Sequence, residues 1–289
     1  MKEDALLCLR DVSFSYHTGR QVLTHVDLTI RAGERIAVLG PNGAGKSTLF
    51  LLINGVLRPS RGSIYYKGRR MDQKNSNELR RSVGIIFQDA DSQIIAPSVR
   101  EEISFGPMNL KLSSAVVEER VAHAIASVNL QGFEERPPHY LSGGEKKRVS
   151  IADIIAMKPD VFLFDEPMAC LDPAHARRVE TLLEDLSGQG KTLLVSTHDV
   201  DFAYRWAQRI LIVQEGSLKA DGTPPAVFAQ EALCRDANLS CPVLLRIEKM
   251  LESRDLLRAK GRNPRTVEEL ELLLKQGNDC VSPAGPAQG

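Results

Sequence analysis

Apolar positions along this chain follow two periods. From Leu6 to Ser13 and from Val22 to Ile30, alternating β-rich residues predict an antiparallel strand pair joined across Tyr16-His17-Thr18-Gly19. Short continuous apolar runs at Arg35–Leu39, Val83–Phe87, Val161–Phe164 and Thr192–Ser196 instead predict strands buried on both faces, as in a parallel sheet covered by helices. Ser63–Tyr66 reads as a further strand, and Ile210–Val213 with Leu218–Ala220 as a hairpin around Glu215-Gly216. Helical spacing governs the rest. One helix begins near Leu49 and is expected to run to about Leu57, stopping before Arg58-Pro59-Ser60-Arg61-Gly62. Val99–Phe105 and Ala115–Val128 predict two helices separated by Gly106-Pro107, and Lys146–Met157 a longer one.

After about residue 240 the pattern changes. Pro242 can open a helix with Val243, Leu244, Ile247, Met250 and Leu251 on one face. Thr266 and Glu269 have the spacing of a capping box at the start of another helix, expected to end near Gly277. The apolar stripes either pack on the parent domain or receive a partner. The expected organisation is an α/β domain over 1–240 with a helical insertion at about 96–157, a helical extension over 241–277, and a disordered Pro/Gly-rich tail over 278–289.

Composition narrows the setting. With 37 basic and 37 acidic side chains, the chain has no net field to recruit nucleic acid or an anionic surface. No apolar run approaches the roughly 18 residues of a membrane span, and Met1-Lys2-Glu3-Asp4 does not open a signal peptide. The five cysteines, Cys8, Cys170, Cys234, Cys241 and Cys280, form no C-x-x-C pair, which favours reduced thiols. Cys234 and Cys241 either share a metal or are idle.

Candidate chemistry gathers at strand ends. Gly40-Pro41-Asn42-Gly43-Ala44-Gly45-Lys46-Ser47-Thr48 fits G-x-x-x-x-G-K-[ST] between a strand and a helix. Its glycines let backbone N–H groups face phosphate oxygens at a helix N-terminus, Lys46 can reach β- and γ-phosphates, and the Ser47 hydroxyl can ligate Mg²⁺. Gln88, after Val83–Phe87, is a candidate contact for Mg²⁺ or a water. Val161–Phe164 delivers Asp165 and Glu166. Extended geometry would point these carboxylates to opposite faces, so that Asp165 can hold Mg²⁺ and Glu166 can poise a water for in-line attack. His198 follows Thr192–Ser196 and could touch a γ-phosphate. Tyr16 could stack on a base or simply cover the surface. Leu141-Ser142-Gly143-Gly144-Glu145, before Lys146–Met157, presents N–H groups at another helix N-terminus, a second phosphate-shaped surface or a plain N-cap. Asp172, ahead of Pro173, has a sufficient explanation as an N-cap.

Taken together and in this order, these stretches resemble the ATP-binding cassette (ABC) ATPases over nearly all of residues 6 to 225. The resemblance implies a P-loop NTPase fold of ABC type with ATP and Mg²⁺. It makes Tyr16 the adenine-stacking aromatic, Gly40–Thr48 the Walker A loop, Gln88 the Q-loop glutamine and Leu141–Glu145 the signature motif. Val161–Glu166 becomes Walker B with catalytic Glu166, Ala169–Asp172 the D-loop, and His198 the switch histidine. It also implies a head-to-tail dimer in which one subunit's signature covers ATP bound by the other. One chain holds two phosphate-shaped surfaces but a single Lys46, Asp165 and Glu166, which points the same way. Phe87–Gln93 and Pro97–Pro107 are similar to the energy-coupling-factor importers, in particular their cobalt/nickel ATP-binding proteins. That implies a membrane-embedded coupling subunit docked near Gln88–Phe105, a substrate-binding membrane subunit, and a peripheral place on the cytoplasmic face of the membrane. Ala90, Met168 and Cys170 depart from the usual Pro, Ser or Thr, and Gly. They remove no phosphate, metal or catalytic group. A vitamin importer's ATPase shares every one of these residues, and a soluble ABC protein acting on nucleic acid or ribosomes usually has two cassettes or long coiled-coil insertions.

Overall fold

A computed structural model describes residues 5–16, 19–257 and 261–278. In chain order, β1 (Ala5–Ser15) and β2 (Gln21–Arg31) form the antiparallel pair, and β3 (Arg35–Leu39) leads through the glycine-rich loop into α1 (Lys46–Asn54). Next come β4 (Arg61–Tyr66), β5 (Arg69–Arg70), α2 (Ser76–Ser82) and β6 (Val83–Ile86). Three helices follow, α3 (Val99–Asn109), α4 (Ser114–Ser127) and α5 (Gly143–Met157). The chain then alternates β7 (Val161–Asp165), α6 (Pro173–Gly188), β8 (Thr192–Ser196), α7 (Val200–Trp206), β9 (Arg209–Gln214) and β10 (Ser217–Gly222). It closes with α8 (Pro224–Phe228), α9 (Glu231–Asp236), α10 (Val243–Ser253) and α11 (Val267–Asn278).

Two sheets result. The antiparallel one has the order β2-β1-β4-β5, and the six-stranded one the order β10-β9-β3-β8-β7-β6, parallel except for β10. The apolar runs explain why the second sheet is central. Ala37 and Leu39 of β3 enter a core shared with α3 to α7, whereas Ile36 and Val38 enter one shared with α1 and the antiparallel sheet. The same alternation splits Phe162 and Phe164 from Val161 and Leu163, so each strand is buried on both faces.

Local boundaries differ from expectation where packing competes with propensity. α1 stops at Asn54 rather than about Leu57, because Gly55 takes the left-handed conformation (φ 81°) and Val56 and Leu57 donate back to Leu51 O. α3 does not break at Gly106-Pro107 but continues to Asn109. A Cβ on Gly106 would lie 2.7 Å from Met157 Cγ, so the bare glycine lets α3 settle against α5, and that contact outweighs the one hydrogen bond Pro107 cannot make. At α11, Glu269 N–H donates to Thr266 Oγ1 (3.2 Å), but the Glu269 carboxylate accepts from Arg265 N–H (2.7 Å), so the reciprocal arm is shifted by one residue.

The apolar stripe read on α10 is only in part its buried face, Leu244 packing against the core. Leu245 and Glu248 are buried, whereas Val243 and Met250 are about half exposed. Glu248 Oε1 accepts from Asn263 N–H at 2.7 Å, which compensates its burial, and Arg265 donates to the carbonyls of Tyr204 and Ala207, tying the extension to α7. Cys8, Cys170, Cys234 and Cys241 are free thiols. His17, Thr18 and the expected tail beyond Asn278, with Cys280, lie outside the described residues. No described helix is long and apolar enough to cross a membrane.

Candidate functional site

The C-terminal ends of the parallel strands converge on one cleft of about 550 Å³, lined by Tyr16, the loop Pro41–Thr48, Gln88, Asp165, Glu166 and the Glu215-Gly216 turn. Such a sheet edge is where α/β folds place ligands, because chain ends and helix N-termini meet there. Gly40 must be glycine. At φ 143° a Cβ would lie 1.9 Å from Val213 O of the neighbouring strand. Gly43 and Gly45 also have positive φ, 77° and 105°, and Gly45 caps α1 without any side-chain acceptor. Among the described residues, the N–H groups of Gly43, Gly45, Lys46, Ser47 and Thr48 have no hydrogen-bond acceptor. Gly216 N–H donates to Ala44 O at 3.1 Å, so the β9–β10 turn braces the loop from outside.

Lys46 is buried, with Nζ donating to Gly40 O (2.6 Å) and Pro41 O (3.3 Å) and standing 3.5 Å from His198 Nε2. Burial pushes its pKa down, while the charges of Glu166 and Asp165 pull it back up. An ammonium held by two carbonyls and a histidine ring nitrogen, beside a row of unmatched N–H groups, makes an electropositive pocket.

Asp165 ends β7 and is buried. Its Oδ1 accepts from Ser196 Oγ at 2.5 Å, and the same Ser196 Oγ accepts from Glu166 N–H at 2.9 Å. Both carboxylates line the cleft, and strand alternation does not place them as expected: Glu166 is in the left-handed region (φ 46°), a strained turn held by Ser196 on β8. Its Oε1 is buried and lies 3.1 Å from His198 Nε2, out of hydrogen-bond alignment and without any other donor. Burial raises the Glu166 pKa, opposed first by His198 and then by Lys46. A carboxylate with one oxygen cut off from water and donors is disposed to take a proton there.

Gln88 follows β6 and reaches the cleft. Its position is fixed by a residue the motif pattern did not single out. Lys147 of α5, only 3% exposed, donates from Nζ to Phe87 O (2.7 Å) and Gln88 O (2.8 Å), and burial pushes its pKa down to about 8. Ser196, Lys147 and Gly216 were the site residues missed. Only Ser196 carried a sequence signal, a hydroxyl closing an otherwise apolar buried strand.

The second phosphate-shaped surface does not reach this cleft: Ser142, Gly143, Gly144 and Asp172 are absent from its walls. Ser142 is the N-cap of α5 in a complete capping box, its Oγ accepting from Glu145 N–H (3.3 Å) and its N–H donating to Glu145 Oε2 (2.7 Å). Glu145 Oε2 accepts from both the Ser142 N–H and, at 2.8 Å, the Ser142 hydroxyl, and these two bonds hold the Glu145 pKa below its usual value. Asp172 caps α6, accepting from Ala174 N–H and His175 N–H, and its Oδ2 lies 2.6 Å from His175 Nδ1. The imidazole of His175 packs on Gly144, where a Cβ would come within 2.4 Å of the ring.

The cleft fits a nucleoside triphosphate with Mg²⁺. The unmatched loop N–H groups and Lys46 suit phosphate oxygens. Ser47, Gln88 and Asp165 line the same cleft and offer oxygen donors of the kind Mg²⁺ takes alongside phosphate and water. Tyr16 sits at the mouth, 42% exposed, its OH 3.3 Å from Thr48 Oγ1 and its ring edge-on to Phe14. A second cleft of about 620 Å³, walled by Arg10, Asp11 and Tyr65 of the antiparallel sheet, shares no lining residue with it.

Comparison with known proteins agrees with this geometry. Residues 23–169 match the family model described as ABC transporter. The energy-coupling factor transporter ATP-binding protein EcfA2 of Methanospirillum hungatei is 44% identical over 277 residues, covering 95% of this chain and 69% of its own. The structure of cbiO1 from Clostridium perfringens, described as part of the ABC transporter complex cbiONQ, superposes with a TM-score of 0.72 at 37% identity, covering 86% of this chain and all of that one. A dimeric ATP-binding cassette solved with ADP and phosphate superposes with a TM-score of 0.68 at 28% identity, covering 75% of this chain and 98% of that one. The chain belongs to the ABC transporter family, as an ATPase subunit of energy-coupling factor type that binds ATP with Mg²⁺ and couples its hydrolysis to transport.

Proposed function

We propose that two copies of this chain pair head to tail, each ATP lying between one copy's Gly40–Thr48 loop and the other's Ser142-Gly143-Gly144, and that the pair drives uptake of cobalt or nickel through membrane-embedded partners. One observation carries the dimer: Ser142, Gly143 and Gly144 form an anion-suited helix end that lies outside the cleft containing Lys46, Asp165 and Glu166. A two-fold pair lets each surface complete the other's site. A heterodimer with a related ATPase would satisfy the same geometry.

Within each site, Lys46 and the loop N–H groups hold the β- and γ-phosphates, and Tyr16 packs against the adenine. Ser47, Gln88 and Asp165 are the residues that would hold Mg²⁺, which when bound neutralises charge between the β- and γ-phosphates. Glu166 takes a proton from the attacking water, and His198 contacts the γ-phosphate beside it. Asp172 contributes by capping α6 and orienting His175 beneath Gly144. Closure of the partner's helix end excludes water and adds N–H dipoles where charge develops.

The metal assignment rests on Phe87–Gln93 and Pro97–Pro107, the stretches similar to cobalt/nickel ATP-binding proteins. The partners are a coupling subunit docked near Gln88–Phe105 and a substrate-binding membrane subunit, with this chain peripheral on the cytoplasmic face. Two measurements test the reading. Membrane proteins that co-purify with the tagged chain are identified, and uptake of labelled Co²⁺, Ni²⁺ and a labelled vitamin is compared in cells carrying wild type or Lys46→Ala. Uptake of a vitamin but of neither metal would reassign the cargo while leaving the ATPase reading intact.

A further inference from the structure

Lys147 is a buried cation that Asp165 and Asp89 reach only at longer range. Among the described residues no carboxylate lies within ion-pairing distance of its Nζ, which spends two of its donors on Phe87 O and Gln88 O. Its neighbour Lys146 grips the same loop, Nζ standing 2.5 Å from Asp91 Oδ1. Within the loop, Gln93 Oε1 accepts from Phe87 N–H at 3.3 Å. Both lysines belong to the first turns of α5, the helix whose N-terminal end is Ser142-Gly143-Gly144. Burying an ammonium that makes no close ion pair is costly, and a methionine of similar length would fill the space without that cost, so packing alone does not account for a lysine here.

We propose that Lys147 is a positioning residue that locks the Gln88 backbone to the helix end bearing Ser142–Gly144, so that the two phosphate-facing surfaces of one chain move as one body. When the partner's nucleotide draws on Ser142–Gly144, the displacement of α5 passes through Nζ to the carbonyls that set where the Gln88 side chain points. This rests on the assignment of Gln88 to the Mg²⁺ or water contact.

The test uses the full-length protein, with Lys147→Met removing both donors at nearly constant volume and Lys147→Arg restoring donors. Lys147→Met should bind a fluorescent ATP analogue without Mg²⁺ within about 2-fold of wild type, since it touches no loop N–H. Its kcat should fall by about 10- to 100-fold, the Mg²⁺ concentration for half-maximal hydrolysis should rise several-fold, and amide exchange should accelerate in residues 88–94 but not in the second half of α5. Lys147→Arg should recover most of the kcat and the Mg²⁺ dependence. If Lys147→Met does not fold, Lys147→Gln, which keeps a shorter donor, should show the same changes at smaller size. The proposal is overturned by a folded Lys147→Met or Lys147→Gln with wild-type kcat and Mg²⁺ dependence, or by Lys147→Arg no better than Lys147→Met. Glu166→Gln run in parallel separates the two ideas: if it hydrolyses ATP at the wild-type rate, the catalytic reading fails whatever Lys147 does.

Discussion

The Nε2 of His198 stands 3.1 Å from Glu166 Oε1 and 3.5 Å from Lys46 Nζ, so a residue following β8 lies between the acid just past β7 and the cation that opens α1. β8 lies between β3 and β7 in the sheet, and this adjacency brings the three side chains together. None of them is near another in sequence.

Glu166→Gln keeps the side chain's shape and removes its capacity to take a proton. Nucleotide binding should be retained, and phosphate release should fall by roughly 10²- to 10⁴-fold, the range for losing a general base. Light scattering should then detect a persistent ATP-bound dimer. Wild-type turnover would sink the assignment of Glu166 as the base.

Ser196→Ala removes a hydroxyl that both donates to Asp165 Oδ1 and accepts from Glu166 N–H, leaving that N–H only Ser196 O at 3.2 Å. A buried carboxylate oxygen without its donor costs about 1–3 kcal/mol. Thermal unfolding should shift down by several degrees, and kcat should fall because the left-handed turn at Glu166 loses its main tie. An unchanged melting point with unchanged kcat would show that Ser196 is not what holds the turn.

Ser142→Arg places a long cation on the helix end assigned to the partner's nucleotide. The isolated chain should bind nucleotide as before, since Ser142 does not line the cleft, whereas ATP-dependent dimerisation should be lost. Light scattering showing the same dimer would exclude the shared-site arrangement.

Asp153, on α5 against Gly106 of α3, has its pKa pushed up to about 7 by burial and, secondarily, by the charge of Glu102. The folded chain therefore binds a proton that the unfolded chain releases near pH 4, so stability falls as pH rises from about 4 through 7 and stays lower above it. Asp153→Asn should raise the melting point by a few degrees at pH 8 and by less at pH 5. An equal gain at both pH values would mean that the carboxylate's titration is not involved.

Much of this protein was legible in its sequence because the relevant forces are local. Four apolar runs determined the buried strands, since a strand packed on both faces has no polar alternation to show. The loop Gly40–Thr48 determined its own shape, because the positive φ at Gly43 and Gly45 and the crowded backbone at Gly40 admit glycine and little else. The N-caps at Ser142 and Asp172 were equally local. Contacts between distant elements decided the rest. Helix α3 passes through Gly106-Pro107 because α5 packs on it, and the Glu166 carboxylate is turned by a serine thirty residues away rather than by the pleat of its own strand. Lys147 reads in sequence as a surface charge on a helix, yet the fold buries it against two carbonyls of β6's exit loop. Propensity and spacing report what a segment does alone. Which side chains lose water, and which partners they find once they have lost it, is determined only when the sheet closes around them.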